Sequence, residues 1–431
     1  MYFCTRRVNA MKEKHDEINR RNFLKTMGAA GLGSVIASPN VKADADRPNA
    51  VDPNTQTDMQ EPRFAQVPKR KLGKTGIEVP VLSLGTVFNL LENQVVLKNA
   101  LKWGVNYWDT ATNYAGGNSE LGIGKYLAQN PAARKKLFIV SKPPDIATPL
   151  PDLADMEKQL QDSLKRMNTN YIDLYLGVHG LRSPDQLTDE LKQWAEKAKK
   201  RGVIKFFGFS MHRNMAQSLI SAARLNWIDA IMTRYDFRLM QDAEMQDGIE
   251  ACHKAGIGLI AIKTQARRQE ITTEEDKKLA GHFLKRGFTE AQAKLKVVLE
   301  DERICSAAVG MQNVALLTSS VAAVLDKTKL TQADKAVFNE CATADCSGYC
   351  AGCAYICESV LPDVPYISDI MRYLMYYNSY GEQDRARELF AKIPGNVKNR
   401  LLNIDYRPAE ANCPQHMPIG ELVAEAVGKL A

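Results

Sequence analysis

The chain has 431 residues, enough for one large domain or two to three smaller ones. Hydrophobic residues make up 45% and charged residues 25%, the balance of a globular protein, which excludes a disordered or fibrous one. The formal charge of +7 is lopsided: residues 1–43 carry eight Lys/Arg against three acids, hence +5, and a body near neutral gives no case for binding nucleic acid.

The basic excess opens the chain. Asn19-Arg20-Arg21-Asn22-Phe23-Leu24-Lys25 precedes a mildly apolar stretch from Met27 to Ala37, and small residues follow at Val41, Ala43 and Ala45. That order reads as an export signal over residues 1–45, cleaved after Ala43 or Ala45. It does not read as a transmembrane segment, which takes roughly 20 apolar residues. The bland reading is an ordinary basic helix. The arginine pair with Phe-Leu-Lys resembles a twin-arginine signal, which implies a periplasmic or otherwise extracytoplasmic protein exported already folded. Residues 46–66 are polar and proline-bearing, and read as a linker.

Lys69 to Val79, with turn glycines at Gly73 and Gly76, predicts a small hairpin capping a barrel floor. Short apolar runs then predict strands at Val81–Leu84, Val105–Trp108, Leu137–Val140, Ile172–Leu176, Lys205–Phe209, Ala230–Met232, Gly258–Ile262 and Ala307–Val309. Helical stretches fall between and after them, at Gln94–Lys102, Ser119–Gln129, Leu153–Met167, Pro184–Arg201, Asn214–Leu225, Asp242–Ala255, Thr289–Leu299 and Ala315–Leu325. Repeated βα units imply parallel strands with helices outside, and eight of them close a (β/α)8 TIM barrel over residues 67–328.

The strand ends carry chemistry. Asp109 closes the second run, Tyr114 follows five residues later, Lys142 follows the third run and His179 the fourth, with Ser210 after the fifth. Barrel enzymes place reacting groups at this C-terminal mouth. A free tyrosine has a pKa of about 10, and a nearby ammonium lowers it. A carboxylate holds the ammonium, and an imidazole can direct a carbonyl toward the phenol. Any one Tyr or His alone is more often a packing residue; the ordered set is what points to proton transfer.

The segments WDTATNY, FIVSKP, DLYLGVH and GVIKFFGFS resemble, in order and spacing, the motifs of the aldo-keto reductase family. The resemblance implies that Asp109, Tyr114, Lys142 and His179 form a catalytic tetrad: Tyr114 donates the proton, Lys142 tunes it, Asp109 supports Lys142 and His179 orients the carbonyl. It implies hydride from a nicotinamide cofactor, NADP(H), and a small-molecule carbonyl or alcohol substrate. Gly85, Asp109 and Ser210 match family positions near the nicotinamide, and Gly310-Met311-Gln312-Asn313 the loop near the adenosine phosphate. The chain departs from the pattern at Met211, Met232, the Lys263–Arg268 segment and Leu317–Ser320. Lys263, Arg267 and Arg268 read either as a grip on a pyrophosphate or 2′-phosphate, or as solvated loop charges.

Nine cysteines are present, and the tail holds Cys346-x3-Cys350-x2-Cys353-x3-Cys357 with a later Cys413-Pro414. Four within twelve residues favour a metal, although zinc and disulfides remain open. The run resembles a ferredoxin motif, and the Cys413 segment resembles the second half of a ferredoxin-like domain fused to some aldo-keto reductases. That implies one [4Fe–4S] cluster on Cys346, Cys350, Cys353 and Cys413, with Cys357 as the alternative ligand. Helical patterns at Ile367–Tyr377, Asp384–Ala391 and Gly420–Leu430 complete a small helical domain over 329–431, with the Met/Tyr stripe at 371–377 read as core. The expectation is an exported reductase with a cluster for electron transfer or structure. The alternative is a catalytically altered barrel serving a redox partner protein.

Overall fold

The structure is a computed structural model that describes residues 64–145, 152–265, 274–343 and 350–431. The export signal, most of the linker, Arg267, Arg268 and Cys346 lie outside the described residues. Lys69–Lys71 (β1) pairs antiparallel with Glu78–Pro80 (β2), Lys69 opposite Pro80. Leu72 and Val79 of this hairpin pack on barrel residues Phe138, Leu174 and Ile260, plugging the floor.

Eight parallel strands follow: Leu82–Gly85 (β3), Tyr107–Asp109 (β4), Phe138–Ser141 (β5), Ile172–Leu181 (β6), Ile204–Met211 (β7), Ala230–Arg234 (β8), Gly258–Ile262 (β9) and Ile304–Gly310 (β10). They close into a barrel where β10 pairs with β3, Gly310 opposite Gly85. Strands covered on both faces must be apolar throughout, which is why they stood out in the sequence. β6 runs five residues further than its apolar run suggested, so His179 lies inside the strand. Between β7 and β8, a Cβ on Gly208 would lie 1.9 Å from the Ala230 carbonyl oxygen, so only glycine lets these backbones meet.

The outer helices follow their patterns. Leu153–Arg166 buries Met156, Leu160 and Leu164, four residues apart, and Asp152 caps it by accepting from the Asp155 amide. Glu290–Glu300 starts with a full capping box between Thr289 and Gln292. Glu274–Lys285 is a helix the sequence did not predict. Among its described residues Leu279 and Phe283 alone are fully buried, too narrow a stripe to read.

Gln332–Thr343 continues beyond the barrel, and the helices Ala354–Cys357, Ile367–Met375, Gln383–Ala391, Arg407–Asn412 and Ile419–Leu430 build a second core. Ile370, Tyr373, Phe390, Val423 and Ala426 pack at its centre. Residues Ala65–Ala431 nevertheless form one compact unit, because the tail is bolted to the barrel's C-terminal mouth. Asp369 accepts from Arg182 at 2.6 Å and from Arg213 at 3.0 Å, Glu358 pairs with Arg213 at 2.5 Å, and Asp145 pairs with Arg372 at 2.7 Å. The Asn214 amide donates to the Gly352 carbonyl at 2.8 Å. Among the described residues, no helix is long and apolar enough to cross a membrane.

Candidate active site

Parallel strands end together, so residues at equivalent ends converge. Asp109 ends β4, Lys142 follows β5, His179 lies near the end of β6 and Tyr114 opens a 3-10 turn, Tyr114–Gly117. All four line one cavity of about 350 Å³ at the mouth, with Gly85, Ser210, Lys263, Gly310 and Gln312. Asn313 is not among the lining residues: its side chain caps the helix Val314–Leu325 by accepting from the Leu316 amide.

Lys142 is the hub. Its Nζ donates to Asp109 Oδ1 at 2.7 Å, to the Thr110 carbonyl at 2.8 Å and to Tyr114 Oη at 3.3 Å. Burial works against the Lys142 charge, but Asp109 and Tyr114 outweigh it and hold the ammonium. Burial also pushes the Asp109 carboxyl up while Lys142 pulls it down. The bond geometry makes the ion pair the form we assign. With the ammonium donating to its oxygen, Tyr114 keeps its own hydrogen to give. Lys142 lowers the Tyr114 pKa as expected, but burial is the larger effect and the net shift is upward. The phenol is thus a stored proton, not a preformed phenolate.

His179 Nδ1 lies 2.8 Å from the Pro143 carbonyl, which can only accept, so Nδ1 carries the hydrogen. Burial pulls the His179 pKa down to about 4 despite Asp145, so the ring is neutral at pH 7. Its Nε2 is then a bare acceptor, suited to a hydroxyl hydrogen. Ser210 Oγ is buried and has no hydrogen-bond partner among the described residues. An orphaned hydroxyl on the cavity wall fits a polar ligand group such as a carboxamide.

The tail completes this cavity. Tyr376, Tyr380, Glu382 and Arg385 line it beside the tetrad. Tyr376–Tyr380 is a single π-helical turn, a local distortion often found at functional sites. The stripe read as core is therefore divided: Tyr373 and Leu374 pack inward, while Tyr376 also faces the cavity. No motif announced these residues, because their place depends on how the tail docks. Lys263 sits in the left-handed region at φ 58, and its Nζ donates to Tyr376 Oη at 2.9 Å. Its partner is thus a phenol from the tail.

Cys350, Cys353, Cys357 and Cys413 line a second, small cavity walled by Ile367, Met371, Met417 and Ile419. All four thiols are free. Among the described residues, no three His, Cys, Asp or Glu side chains are arranged to hold a metal ion. The two cavities are neighbours. A Cβ on Gly352, between the first two cysteines, would lie 2.5 Å from the carbonyl of His212, which lines the catalytic cavity.

Comparison with known proteins agrees with the barrel. A family model described as the aldo/keto reductase family matches residues 82–342. L-galactose dehydrogenase of Arabidopsis thaliana is 24% identical over 294 residues, covering 62% of this chain and 91% of that protein. Aldo-keto reductase AFTS1 of Alternaria alternata is 26% identical over 233 residues, 44% of this chain and 63% of that protein. The holo form of aldo-keto reductase AKR11C1 from Bacillus halodurans has the same fold, with a TM-score of 0.54 at 22% identity over 65% of this chain and 97% of that one.

Proposed function

The chain belongs to the aldo/keto reductase family of NAD(P)-dependent oxidoreductases, and we propose that it is an exported, NADP(H)-dependent enzyme interconverting a small carbonyl compound and its alcohol. The observation that carries this reading is the Lys142 ammonium bonded at once to Asp109 and to the Tyr114 oxygen, which leaves the phenolic hydrogen for the cavity. The nicotinamide, when bound, supplies the hydride. Tyr114 gives its proton to the carbonyl oxygen, and Lys142 stabilises the phenolate left behind. Neutral His179 accepts from the product hydroxyl, or from a hydroxyl beside the carbonyl. Ser210, Gly85, Gly310 and Gln312 are the chain's own candidates to hold the nucleotide.

The tail's four thiols are soft donors in a small apolar-walled cavity, a donor set that suits one [4Fe–4S] cluster. Cys357, beside Cys350, Cys353 and Cys413, supports the alternative ligand set. The twin-arginine segment supports export, which would carry the folded protein with its cofactors in place.

The test is direct. The mature protein is titrated with NADPH by fluorescence and assayed with small aldehydes, ketones and the corresponding alcohols. Tight NADPH binding with turnover supports the reading. A second reading, a barrel serving a redox partner, is favoured by the departures at Met232 and Lys263; neither NADPH binding nor nucleotide released on denaturation would support it instead. Export is tested by fusing residues 1–66 to a reporter and replacing Arg20 and Arg21 by Lys; a reporter still exported would remove the twin-arginine reading.

A further inference from the structure

Three cations meet over one ring at the edge of the catalytic cavity. Lys263 Nζ lies 4.3 Å, Arg385 Cζ 4.9 Å and Arg372 Cζ 5.9 Å from the centroid of the Tyr376 ring, and Arg372 is already paired with Asp145. Arg385 also lies 5.6 Å from the centroid of the Tyr114 ring, so its guanidinium borders that phenol. Among the described residues Arg385 hydrogen-bonds one carboxylate, its Nη1 donating to Glu382 Oε2 at 2.7 Å, while Asp145 acts on it through space. A guanidinium has five N–H donors, and among the described residues no other Arg385 hydrogen bond exists. Lys263 hydrogen-bonds a phenol and, among the described residues, no carboxylate; Glu382 acts on it through space. Lys263 is held there in a left-handed backbone conformation that a non-glycine residue adopts only under constraint.

We propose that Arg385, supported by Lys263, forms an anion subsite beside Tyr114, and that the substrate is an acidic carbonyl compound, a 2-oxo acid reduced to its 2-hydroxy acid. The proposal rests on the reductase reading above and names the substrate class of that site. A carbonyl oxygen at the Tyr114 hydroxyl places the neighbouring carboxylate toward the guanidinium, whose free N–H pairs match a carboxylate's two oxygens. In the hydroxy-acid form, the new hydroxyl can donate to His179 Nε2. The step balances: hydride adds its electron pair at the carbonyl carbon, the C=O π bond breaks, and the oxygen takes the Tyr114 proton. The carboxylate stays ionised throughout. Burial and the guanidinium groups of Arg372, Arg234 and Arg385 push the Lys263 pKa well down, and a bound anion relieves that repulsion.

The test compares phenylglyoxylate with its methyl ester, nearly the same shape without the charge, using NADPH and wild type, Arg385→Gln and Arg385→Lys. The wild type is expected to prefer the acid. Arg385→Gln should lose roughly 10- to 100-fold in kcat/KM for the acid, the weight of a hydrogen bond to a charged group. It should lose clearly less on the ester, so that the acid-to-ester preference falls, and Arg385→Lys should recover part of that preference. Equal losses on acid and ester would overturn the proposal and make Arg385 structural. An unchanged acid-to-ester ratio with weakened NADPH binding would overturn it too, assigning the anion to the cofactor's phosphate. If neither compound turns over, calorimetry with oxalate against oxamide decides the subsite, and the small aldehydes and ketones above decide the reductase reading. Oxalate binding lost in Arg385→Gln supports it; no oxalate binding by the wild type overturns it.

Discussion

Arg372, on a helix of the tail, donates to Asp145 at 2.7 Å, and Asp145 lies two residues past the Pro143 carbonyl that fixes His179. The tail is thereby part of the catalytic mouth. Burial alone would raise the Asp145 pKa, but Arg372 and then His179 hold its carboxyl well below the usual range.

Replacing Arg372 by Met should therefore cost about 3–5 kcal/mol, the penalty for leaving one partner of a buried ion pair uncompensated. Denaturant unfolding at pH 7 measures it. A loss under about 1 kcal/mol would mean that the pair does not tie tail to barrel.

Stability should fall with acid through His179. Its folded pKa of about 4 lies below the ordinary value near 6.5, so the unfolded chain binds the proton first. The contribution is whole above pH 6.5 and is lost as the pH drops toward 4. A depression of this size is worth roughly 3 kcal/mol. Carboxylates titrate over the same window, so the reference is His179→Gln, which should lose roughly 3 kcal/mol less than wild type between pH 7 and pH 4. Parallel curves would place a charged imidazole in the native mouth.

The barrel was legible because parallel strands buried on both faces become apolar runs, and the tetrad because each member follows such a run. The Ser210 hydroxyl, without a partner among the described residues, lies on the cavity wall. What the sequence hid depends on tertiary docking. Arg385 lies in the charged stretch Gln383–Ala391, whose pattern says only that Ala386, Leu389 and Phe390 face inward. Nothing local tells that its cation lies over the Tyr114 ring. The Tyr114 pKa shows a different gap: the sequence supplies the neighbouring ammonium but not the depth of burial that outweighs it.

Gly352 offers a test of the junction between the two cavities. It adopts φ +85, and a Cβ there would meet the His212 carbonyl. Gly352→Ala should lose about 1–3 kcal/mol from strain and displaced contacts. It should also weaken whatever the cysteine cavity holds. Unchanged thermal unfolding would show that the loop yields freely.

The thiol cavity makes an analytical prediction. Protein purified without oxygen should carry about four irons per chain, with visible absorbance bleached by dithionite. Cys353→Ser should abolish both. Loss of iron in Cys357→Ser would make Cys357 a ligand, whereas full retention there with loss in Cys346→Ser would return the fourth position to Cys346. Iron-free protein with intact thiols would remove the cluster.

The proposed proton donor is the Tyr114 hydroxyl, backed by Lys142. The most direct measurement is Tyr114→Phe, which removes one oxygen from a cavity whose walls otherwise stay in place. Carbonyl reduction should fall about 10²- to 10⁴-fold in kcat while the NADPH dissociation constant stays within about twofold. A kcat within about threefold of wild type would rule out Tyr114 as the donor.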